Sequence, residues 1–176
     1  ADASDVTDAA DASDPSDPSD TSDDQPMPGF TLVDENEISS TYEQEISFSD
    51  YEGEVSAWYF LHCTWSYCRG QFGRLDTLQD EINALSTDLN VTIIGINEIG
   101  FESGNPLISS AGDMPMLQDV ESVNLWESWA VTYRDVVIVG PDGKKFGVYN
   151  LTENNLNNAT PYEELKAMLL DAANLP

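Results

Sequence analysis

The spacing of hydrophobic residues along the chain predicts strands and helices in a definite order. Residues 55–61 (VSAWYFL) and 91–96 (VTIIGI) are almost continuously apolar, which is typical of strands buried on both faces of a sheet. Between them the apolar residues recur every three or four positions, which predicts a helix from Tyr67 onward. Its predicted buried face consists of Phe72, Leu75, Leu78, Ile82 and Leu85. A strand, a helix and a second strand in this order form a βαβ unit with parallel strands.

Shorter elements are predicted on both sides of this unit. Residues 30–33 and 45–48 favour an N-terminal β-hairpin. Residues 135–139 (DVVIV) favour a third buried strand, and residues 146–149 a returning strand after a Pro-Asp-Gly turn. Residues 98–125 have little periodicity, and we expect a long excursion with one short helix. The predicted fold is therefore α/β, with a central mixed sheet flanked by helices.

The last helix has a start signal in the sequence. We expect Thr160 as its N-cap, Pro161 at its first position and Glu163 completing a capping box. Its predicted apolar stripe is Leu165, Met168, Leu169 and Ala172.

The first part of the chain differs from the rest in composition. Residues 1–26 are rich in Asp, Ser, Pro and Ala, and they contain no aromatic residue, Leu or Ile. Such a segment cannot bury enough apolar surface to offset the entropy of ordering. We therefore expect residues 1–26 to form a disordered acidic tether and residues 27–176 to form one domain.

The charge of the chain narrows the range of partners. The formal net charge is −27, with only six basic residues. A field of this sign repels nucleic acid and anionic lipid, so neither is expected as a direct partner. No apolar run is long enough to span a bilayer, and no direct membrane insertion is expected. The tether resembles the spacer of bacterial lipoproteins. This resemblance implies an exported protein, periplasmic or on the cell surface, with a lipid anchor upstream of residue 1.

Candidate chemistry centres on the two cysteines, which lie in His62-Cys63-Thr64-Trp65-Ser66-Tyr67-Cys68-Arg69. By the predicted elements, Cys63 ends a strand and Cys68 lies in the first turn of a helix that Ser66 caps. A helix N-terminus favours thiolate over thiol, and Arg69 adds a formal charge. We therefore expect Cys68 to be the more acidic thiol.

Several alternatives for these residues stay open. The cysteines can form a structural disulfide, although so short a loop favours a reversible bridge over an inert cross-link. Two cysteines and one histidine are too few ligands for zinc, and no metal is expected. His62 is either a polar group at a strand end or a proton donor to the thiols. Arg134 either favours thiolate or steers an anionic substrate, or it simply forms a salt bridge.

Three segments resemble the redoxin branch of the thioredoxin superfamily: "PGFTLVDEN", "ISFSDYEGEVSAWYFLHCTWSYCR" and "VVIVGPDGK". Within it, the chain is most similar in look to the N-terminal domain of selenoprotein P and its bacterial relatives, in which a selenocysteine-x-x-cysteine pair follows an apolar strand. The resemblance implies a thioredoxin-like fold. It also implies a redox enzyme that uses no cofactor beyond its own cysteine or selenocysteine.

Two positions depart from the family pattern. Trp65 stands where the family has its first cysteine or selenocysteine, and Arg134 or Asp135 stands where most members have a cis-proline. Three explanations compete for Trp65: Cys63 has become the partner of Cys68, Cys68 works alone, or the domain has lost activity. A fourth hypothesis is that Trp65 replaces a native selenocysteine, because the codons UGA and UGG differ by one base.

Three functions are compatible with this sequence. In the first, a thiol–disulfide oxidoreductase, Cys68 forms a mixed disulfide that Cys63 resolves, with Trp65 and Tyr67 as an apolar lip. Its partners are protein or small-molecule disulfides and a thiol reductant. In the second, a peroxiredoxin-like thiol or selenol peroxidase with an antioxidant role, peroxide oxidises Cys68 and Cys63 condenses with it. The third is a redox-inactive thioredoxin-fold binding module on a surface tether.

Overall fold

The computed structural model describes residues 25–85 and 90–174, which contain a seven-stranded sheet in the order β2-β1-β5-β4-β3-β6-β7. The strands are β1 (Thr31–Asp34), β2 (Glu45–Ser47), β3 (Val55–Leu61), β4 (Val91–Asn97), β5 (Met116–Gln118), β6 (Asp135–Val139) and β7 (Lys145–Asn150). The α-helices are α1 (Ser66–Ala84), α2 (Asn105–Ile108), α3 (Leu125–Ser128) and α4 (Ala159–Ala173). Short 3-10 helices span Phe48–Tyr51 and Glu102–Gly104. The predicted tether lies, apart from Gln25 and Pro26, outside the described residues.

The predicted mixed sheet is confirmed. β3 has the predicted bounds and pairs in parallel with β4, from Val55 opposite Val91 to Leu61 opposite Asn97. β6 pairs antiparallel with both β3 and β7, and β1 pairs antiparallel with β2 as the predicted hairpin. The end of β3 therefore lies in the middle of the sheet, with a neighbouring strand on each side.

The excursion predicted for residues 98–125 holds one more strand than expected. β5 pairs in parallel with β4, with Met116 opposite Gly95, and antiparallel with β1, with Gln118 opposite Val33. The Asp34 carboxylate also accepts the Met116 backbone N–H at 2.9 Å. This strand joins the N-terminal hairpin to the βαβ unit and was not predicted, whereas the expected short helix is present as α2.

Both long helices begin or end away from the predicted residues. α1 has Trp65 as its N-cap and Ser66 as its first residue, so Ser66 does not cap it. Leu85 follows the last residue of α1 and is 37% exposed, so it is not part of the buried face.

The start of α4 also differs from the prediction. α4 begins at Ala159 after Asn158, so Thr160 lies inside its first turn and the predicted capping box does not form. Proline is tolerated throughout a first turn, because the N–H groups there have no partner within the helix, and Pro161 therefore did not fix the boundary.

The two faces of the sheet have cores of different character. On one, called the helix face below, α1 and α4 cover mostly aliphatic side chains of β3, β4 and β6, and both cysteines belong to this core. The other, called the aromatic face below, packs Phe30, Trp58, Phe60, Trp126 and Trp129 under short elements. Trp58 is fully buried with its ring centroid 5.1 Å from that of Phe30. Side chains alternate along β3 and just beyond it, so consecutive residues point to different cores.

Candidate functional site

The candidate site lies where β3 ends and the chain turns into α1. Cys63 follows the end of the strand, Trp65 is the N-cap of α1, and Cys68 is the third residue of the helix. The order of elements predicted this placement of Cys68 in the first helical turn. Both cysteines are free and fully buried on the helix face.

Cys63 is held by contacts on three of its atoms. Its backbone N–H donates to Asn97 Oδ1 at 2.9 Å, and its carbonyl accepts Arg69 Nη1 at 2.7 Å. Its Sγ lies 3.7 Å from Met116 Sδ. Burial raises the pKa of Cys63 to about 12, with the Cys68 thiolate charge as a second cause and Arg69 acting in the opposite direction. The thiol of Cys63 is therefore protonated at neutral pH.

Cys68 shares the environment of Cys63. Both residues belong to the same buried core on the helix face. The Cys68 carbonyl accepts a hydrogen bond from the buried Tyr59 hydroxyl at 3.3 Å. Arg69 donates one N–H to the Cys63 carbonyl and so ties the strand end to the helix.

A segment of the excursion closes over Cys63. A side chain at Gly104 would overlap the Cys63 carbonyl carbon and the Thr64 nitrogen, so the two backbones touch here and only glycine fits. Behind this contact, Asn97 Nδ2 donates to Asn105 Oδ1 at 2.9 Å and to Gln118 Oε1 at 2.8 Å. The hydrophobic pattern does not reveal this network; its one visible signal is a polar residue, Asn97, at the end of an apolar strand.

His62 lies on the opposite face of the sheet from both cysteines. Its ring is 95% buried and stacks on Phe101, with centroids 3.8 Å apart and planes within 4°. Trp126 stacks on it at 5.3 Å, and the Trp65 ring meets it edge-on at 4.3 Å. Its Nε2 pairs with the Glu98 carboxylate, while Nδ1 is buried without a hydrogen-bond partner among the described residues. His62 thus packs within the aromatic face. Its position on the other side of the sheet gives no support to the alternative that it donates a proton to the thiols.

Arg134 packs against the start of α1, as expected. Its guanidinium carbon lies 4.4 Å from the Tyr67 ring centroid, 5.2 Å from that of Tyr133 and 5.6 Å from that of Trp65. The Tyr67 hydroxyl donates to the Leu151 carbonyl at 2.8 Å, which fixes that ring. We call Trp65, Tyr67, Tyr133 and Arg134 the aromatic rim. Trp65 is 39% exposed and Tyr133 is 41% exposed, so the rim is open to solvent.

The backbone at Arg134, where the redoxin family that the chain resembles has a cis-proline, has a different conformation. The described residues contain no cis peptide bond, and Arg134 adopts a left-handed conformation with φ of 69°. Its N–H donates to the Phe60 carbonyl at 2.7 Å, and its carbonyl accepts the Leu151 N–H at 2.8 Å. The first bond holds the turn before β6 against β3, and the second ties it to the residue after β7, both without a proline.

Two absences can be stated for residues 25–85 and 90–174. They contain no group of three or more His, Cys, Asp or Glu side chains arranged to hold a metal ion. Within the same residues, none of the helices combines the length and hydropathy needed to cross a bilayer.

Comparisons with known proteins support the architecture. Neither a protein-family model nor a curated protein matches the chain. Among solved structures, BsSco, a member of the Sco family of cytochrome c oxidase assembly proteins, is 18% identical with a TM-score of 0.63, over 86% of this chain and 95% of that one. The thioredoxin domain of a thiol-disulfide oxidoreductase from Bacteroides vulgatus is 17% identical with a TM-score of 0.57, over 86% and 99%.

A third structure has the same likeness. A secreted Mycobacterium tuberculosis disulfide oxidoreductase homologous to E. coli DsbE is 16% identical with a TM-score of 0.56, over 81% of this chain and 95% of that one. Each of these three neighbours is covered almost completely by the match. At these identities the likeness establishes the fold, and this chain has the thioredoxin-like fold.

Proposed function

We propose that the domain is a thiol–disulfide oxidoreductase whose working pair is Cys63 and Cys68. One observation carries the proposal: both cysteines of the chain are free and buried in one core at the junction of β3 and α1 of a thioredoxin-like fold. Solved neighbours whose names include thiol-disulfide and disulfide oxidoreductases share this fold. The redox pair of this chain would be Cys-x4-Cys. Cys63 would take the role that the first cysteine or selenocysteine, at the position of Trp65, has in the redoxin family.

The reaction would proceed in two exchange steps. The Cys68 thiolate attacks one sulfur of a substrate disulfide, forms a mixed disulfide and releases the first substrate thiolate. The Cys63 thiol then loses its proton, attacks Cys68 Sγ and releases the second substrate thiolate. In total, two substrate thiols form as the two cysteines join in one disulfide. A thiol reductant restores the pair by the reverse exchange.

The raised pKa of Cys63 supports this order of events. A thiol with a pKa of about 12 is almost entirely protonated at neutral pH, so Cys63 is poorly suited to make the first attack. Both sulfur atoms are buried, so the first step also requires the segment around Gly104 or the aromatic rim to move aside.

The proposal is tested by oxidation in defined mixtures of oxidised and reduced dithiothreitol. The protein is trapped with a thiol-alkylating reagent and its mass is measured at each potential. We expect a transition from two alkylated cysteines to none, and single alkylation of the C63S and C68S variants under all conditions. Reduction of insulin disulfides by the wild type, and not by either variant, should accompany it. Two alkylated cysteines at every potential would contradict the proposal.

A second candidate is a redox-inactive binding module. It is favoured by one observation: the exposed group at the start of α1 is the ring of Trp65, while both thiols are sealed. In that case the oxidation experiment finds no disulfide, and a W65A variant loses partner binding while C68S keeps it.

The peroxidase alternative makes a different prediction for the same pair. Peroxide would oxidise Cys68 to a sulfenic acid, and Cys63 would condense with it and release water. Peroxide consumption with dithiothreitol as reductant, absent in C68S, would favour this use over exchange with disulfides.

The selenocysteine hypothesis applies to position 65 under either use. Trp65 is the N-cap residue, half-exposed and three residues before Cys68, where a selenol would meet substrate directly. The codon for residue 65 decides it: UGA supports a native selenocysteine, and UGG ends the hypothesis.

Export is part of the same proposal. The acidic tether and a neighbour that is named as secreted both favour a periplasmic or cell-surface location, with a lipid anchor upstream of residue 1. Fractionation of the native cells, with membranes separated from soluble protein, tests this location.

A further inference from the structure

The geometry points to a carboxylate-binding site at the guanidinium of Arg134, on which a carboxylate-bearing thiol or disulfide would be anchored beside Trp65. This substrate class rests on the proposed oxidoreductase function, whereas the carboxylate site itself rests on the surroundings of Arg134. Four features of those surroundings carry the inference.

The first feature is a missing ion pair. The chain has 33 acidic and six basic residues, so a basic side chain at the surface would be expected to find a carboxylate of its own. Lys166, for comparison, pairs with Glu81 at 2.7 Å. No Asp or Glu among the described residues lies within ion-pair distance of Arg134. Its neighbour Asp135 instead accepts hydrogen bonds from the Thr132 N–H and from Asn150 Nδ2.

The second feature is the set of unused donors. A guanidinium has five N–H donors, and within the described residues only Nη1 has an acceptor, Thr152 Oγ1, at 3.4 Å. Nε is buried without a partner, so ring contacts rather than hydrogen bonds keep the side chain in place. The end of the fork remains for a ligand, and two N–H groups on a planar fork match the two oxygens of a carboxylate.

The third feature is the ring contacts themselves. Tyr67 and Tyr133 lie within 5.2 Å of the guanidinium carbon, and Trp65 lies slightly farther away. Rings around a guanidinium hold it by cation–π attraction and leave its positive charge uncompensated. They also exclude water from the sides of a bound carboxylate, which strengthens its hydrogen bonds.

The fourth feature is the backbone conformation of Arg134, which two hydrogen bonds hold in place. Arg134 adopts a left-handed φ of 69°, which is unfavourable for a residue with a Cβ, and it is held there by hydrogen bonds to Phe60 and Leu151. Backbone strain of this kind persists only where the surrounding structure enforces it, and it clusters at binding sites.

The position of the site suits the chemistry proposed below it. Trp65 joins the site to the start of α1, the helix whose first turn carries Cys68. The negative charge of the rest of the chain opposes anion binding, but solvent and salt screen it beyond about 8 Å at physiological ionic strength. The direct contact with Arg134 is not screened in this way.

The test uses two ligands that differ only in the carboxylate. N-acetyl-S-methylcysteine carries the carboxylate, and its methyl ester does not. Both are thioethers that cannot exchange with a thiol, so binding is measured even if the cysteines prove inert. Titrations of the reduced protein are followed by Trp fluorescence and by NMR of the Trp65 indole N–H. We expect the acid to bind about tenfold more tightly than its ester.

Variants locate this preference. R134Q should bind acid and ester equally, and R134K, which keeps the charge but loses the fork, should retain only part of the preference. R74Q is the matched control, because Arg74 also lies over a ring, that of Tyr162 at 4.6 Å, away from the rim. It should keep the full preference. Equal binding of acid and ester by the wild type, or an unchanged preference in R134Q, would overturn the inference.

Discussion

The two faces of the sheet are both covered and buried, but the side chains that fill the two cores differ. The helix face is covered by two long helices and filled with aliphatic side chains, whereas the aromatic face is covered by short elements and filled with interlocking rings. The sequence position where they differ most sharply is the end of β3. There His62 enters a stack of rings and the next residue, Cys63, enters a layer of aliphatic and sulfur-bearing side chains.

This difference gives the side chains on the two faces different surroundings. The helix face buries both sulfur atoms, and burial raises the pKa of Cys63. The aromatic face extends past the sheet edge into the rim, where rings and a guanidinium meet solvent. The two thiols are thus buried in one core, whereas Trp65 and Tyr133 of the rim are exposed to solvent.

The largest expected effect tests whether the aromatic face is a core of its own. Replacement of the fully buried Trp58 by alanine should lower the free energy of unfolding by about 3–5 kcal/mol, because a large cavity forms between Phe30 and Trp129. Urea unfolding measures it. The W65A variant, with its ring at the surface, should lose less than about 1 kcal/mol. Equal losses in the two variants would mean that the aromatic face is only a cover.

The next effect concerns the seal over Cys63. Gly104→Ala forces a methyl group into the Cys63–Thr64 backbone, and we expect a loss of about 1–3 kcal/mol together with faster reaction of the buried thiols with Ellman's reagent. Gly70→Ala is the control, since nothing lies within 4 Å of its added methyl group. It should stabilise α1 by about 0.5–1 kcal/mol and leave thiol reactivity unchanged. Unaltered stability and reactivity in the Gly104 variant would show that this segment does not seal the site.

A smaller effect follows from the ionisation of Cys63. Its pKa is raised from 9.0 to about 12 by burial, so above pH 9 the unfolded chain releases this proton while the folded chain keeps it. The folded state then binds more protons, and its stability falls as pH rises. Between pH 9 and 10 the reduced wild type should lose about 1 kcal/mol more than C63A in urea unfolding. If the free energy of unfolding changed equally with pH in the wild type and in C63A, the raised pKa of Cys63 would be contradicted.

Tyrosines do not obscure this window. Burial also raises the pKa of Tyr51, Tyr149 and Tyr162 from 10.0 to about 12, so these residues lower the stability in the same direction as the pH approaches 10. The three tyrosines are unchanged in C63A, which makes the difference between the two profiles specific to the thiol.

The smallest effect compares the covers of the two faces. Ala130, in the loop that covers the aromatic face, has a left-handed φ of 51°, so Ala130→Gly should stabilise the protein by up to about 1 kcal/mol. Ala167, exposed in α4 on the helix face, is helical, and Ala167→Gly should cost about 0.5–1 kcal/mol. Thermal unfolding of both variants checks the opposite signs. A loss of stability in both would show that the loop conformation is not strained.

Periodicity predicted the helix face far better than the aromatic face. β3 and most of α1 follow from local hydrophobic patterns, because a strand buried on both faces and an amphipathic helix each repeat with a fixed period. β5 has three residues, and its strand conformation depends on pairing with β1 and β4 and on the Asp34 carboxylate, all distant in sequence. Such short elements are specified by tertiary contacts rather than by their own pattern.

The candidate site divides in the same way. The order of elements predicted that Cys63 ends a strand and that Cys68 starts a helix, and it placed Arg134 near the helix start. The burial of both sulfur atoms was not predicted, because the glycine that closes over Cys63 lies about 40 positions later in an irregular segment. The partners of His62, Glu98 and Phe101, come from that segment as well.

The alternation of side chains at the end of β3 also limits how this protein can evolve. Deleting a single residue between Val55 and Cys63 would exchange the two environments, sending imidazole into the aliphatic layer and sulfur into the ring stack. Substitutions within the strand change single side chains and keep the alternation, whereas an insertion or deletion of one residue reverses it. Homologous chains should therefore vary in the composition of this segment while conserving its length.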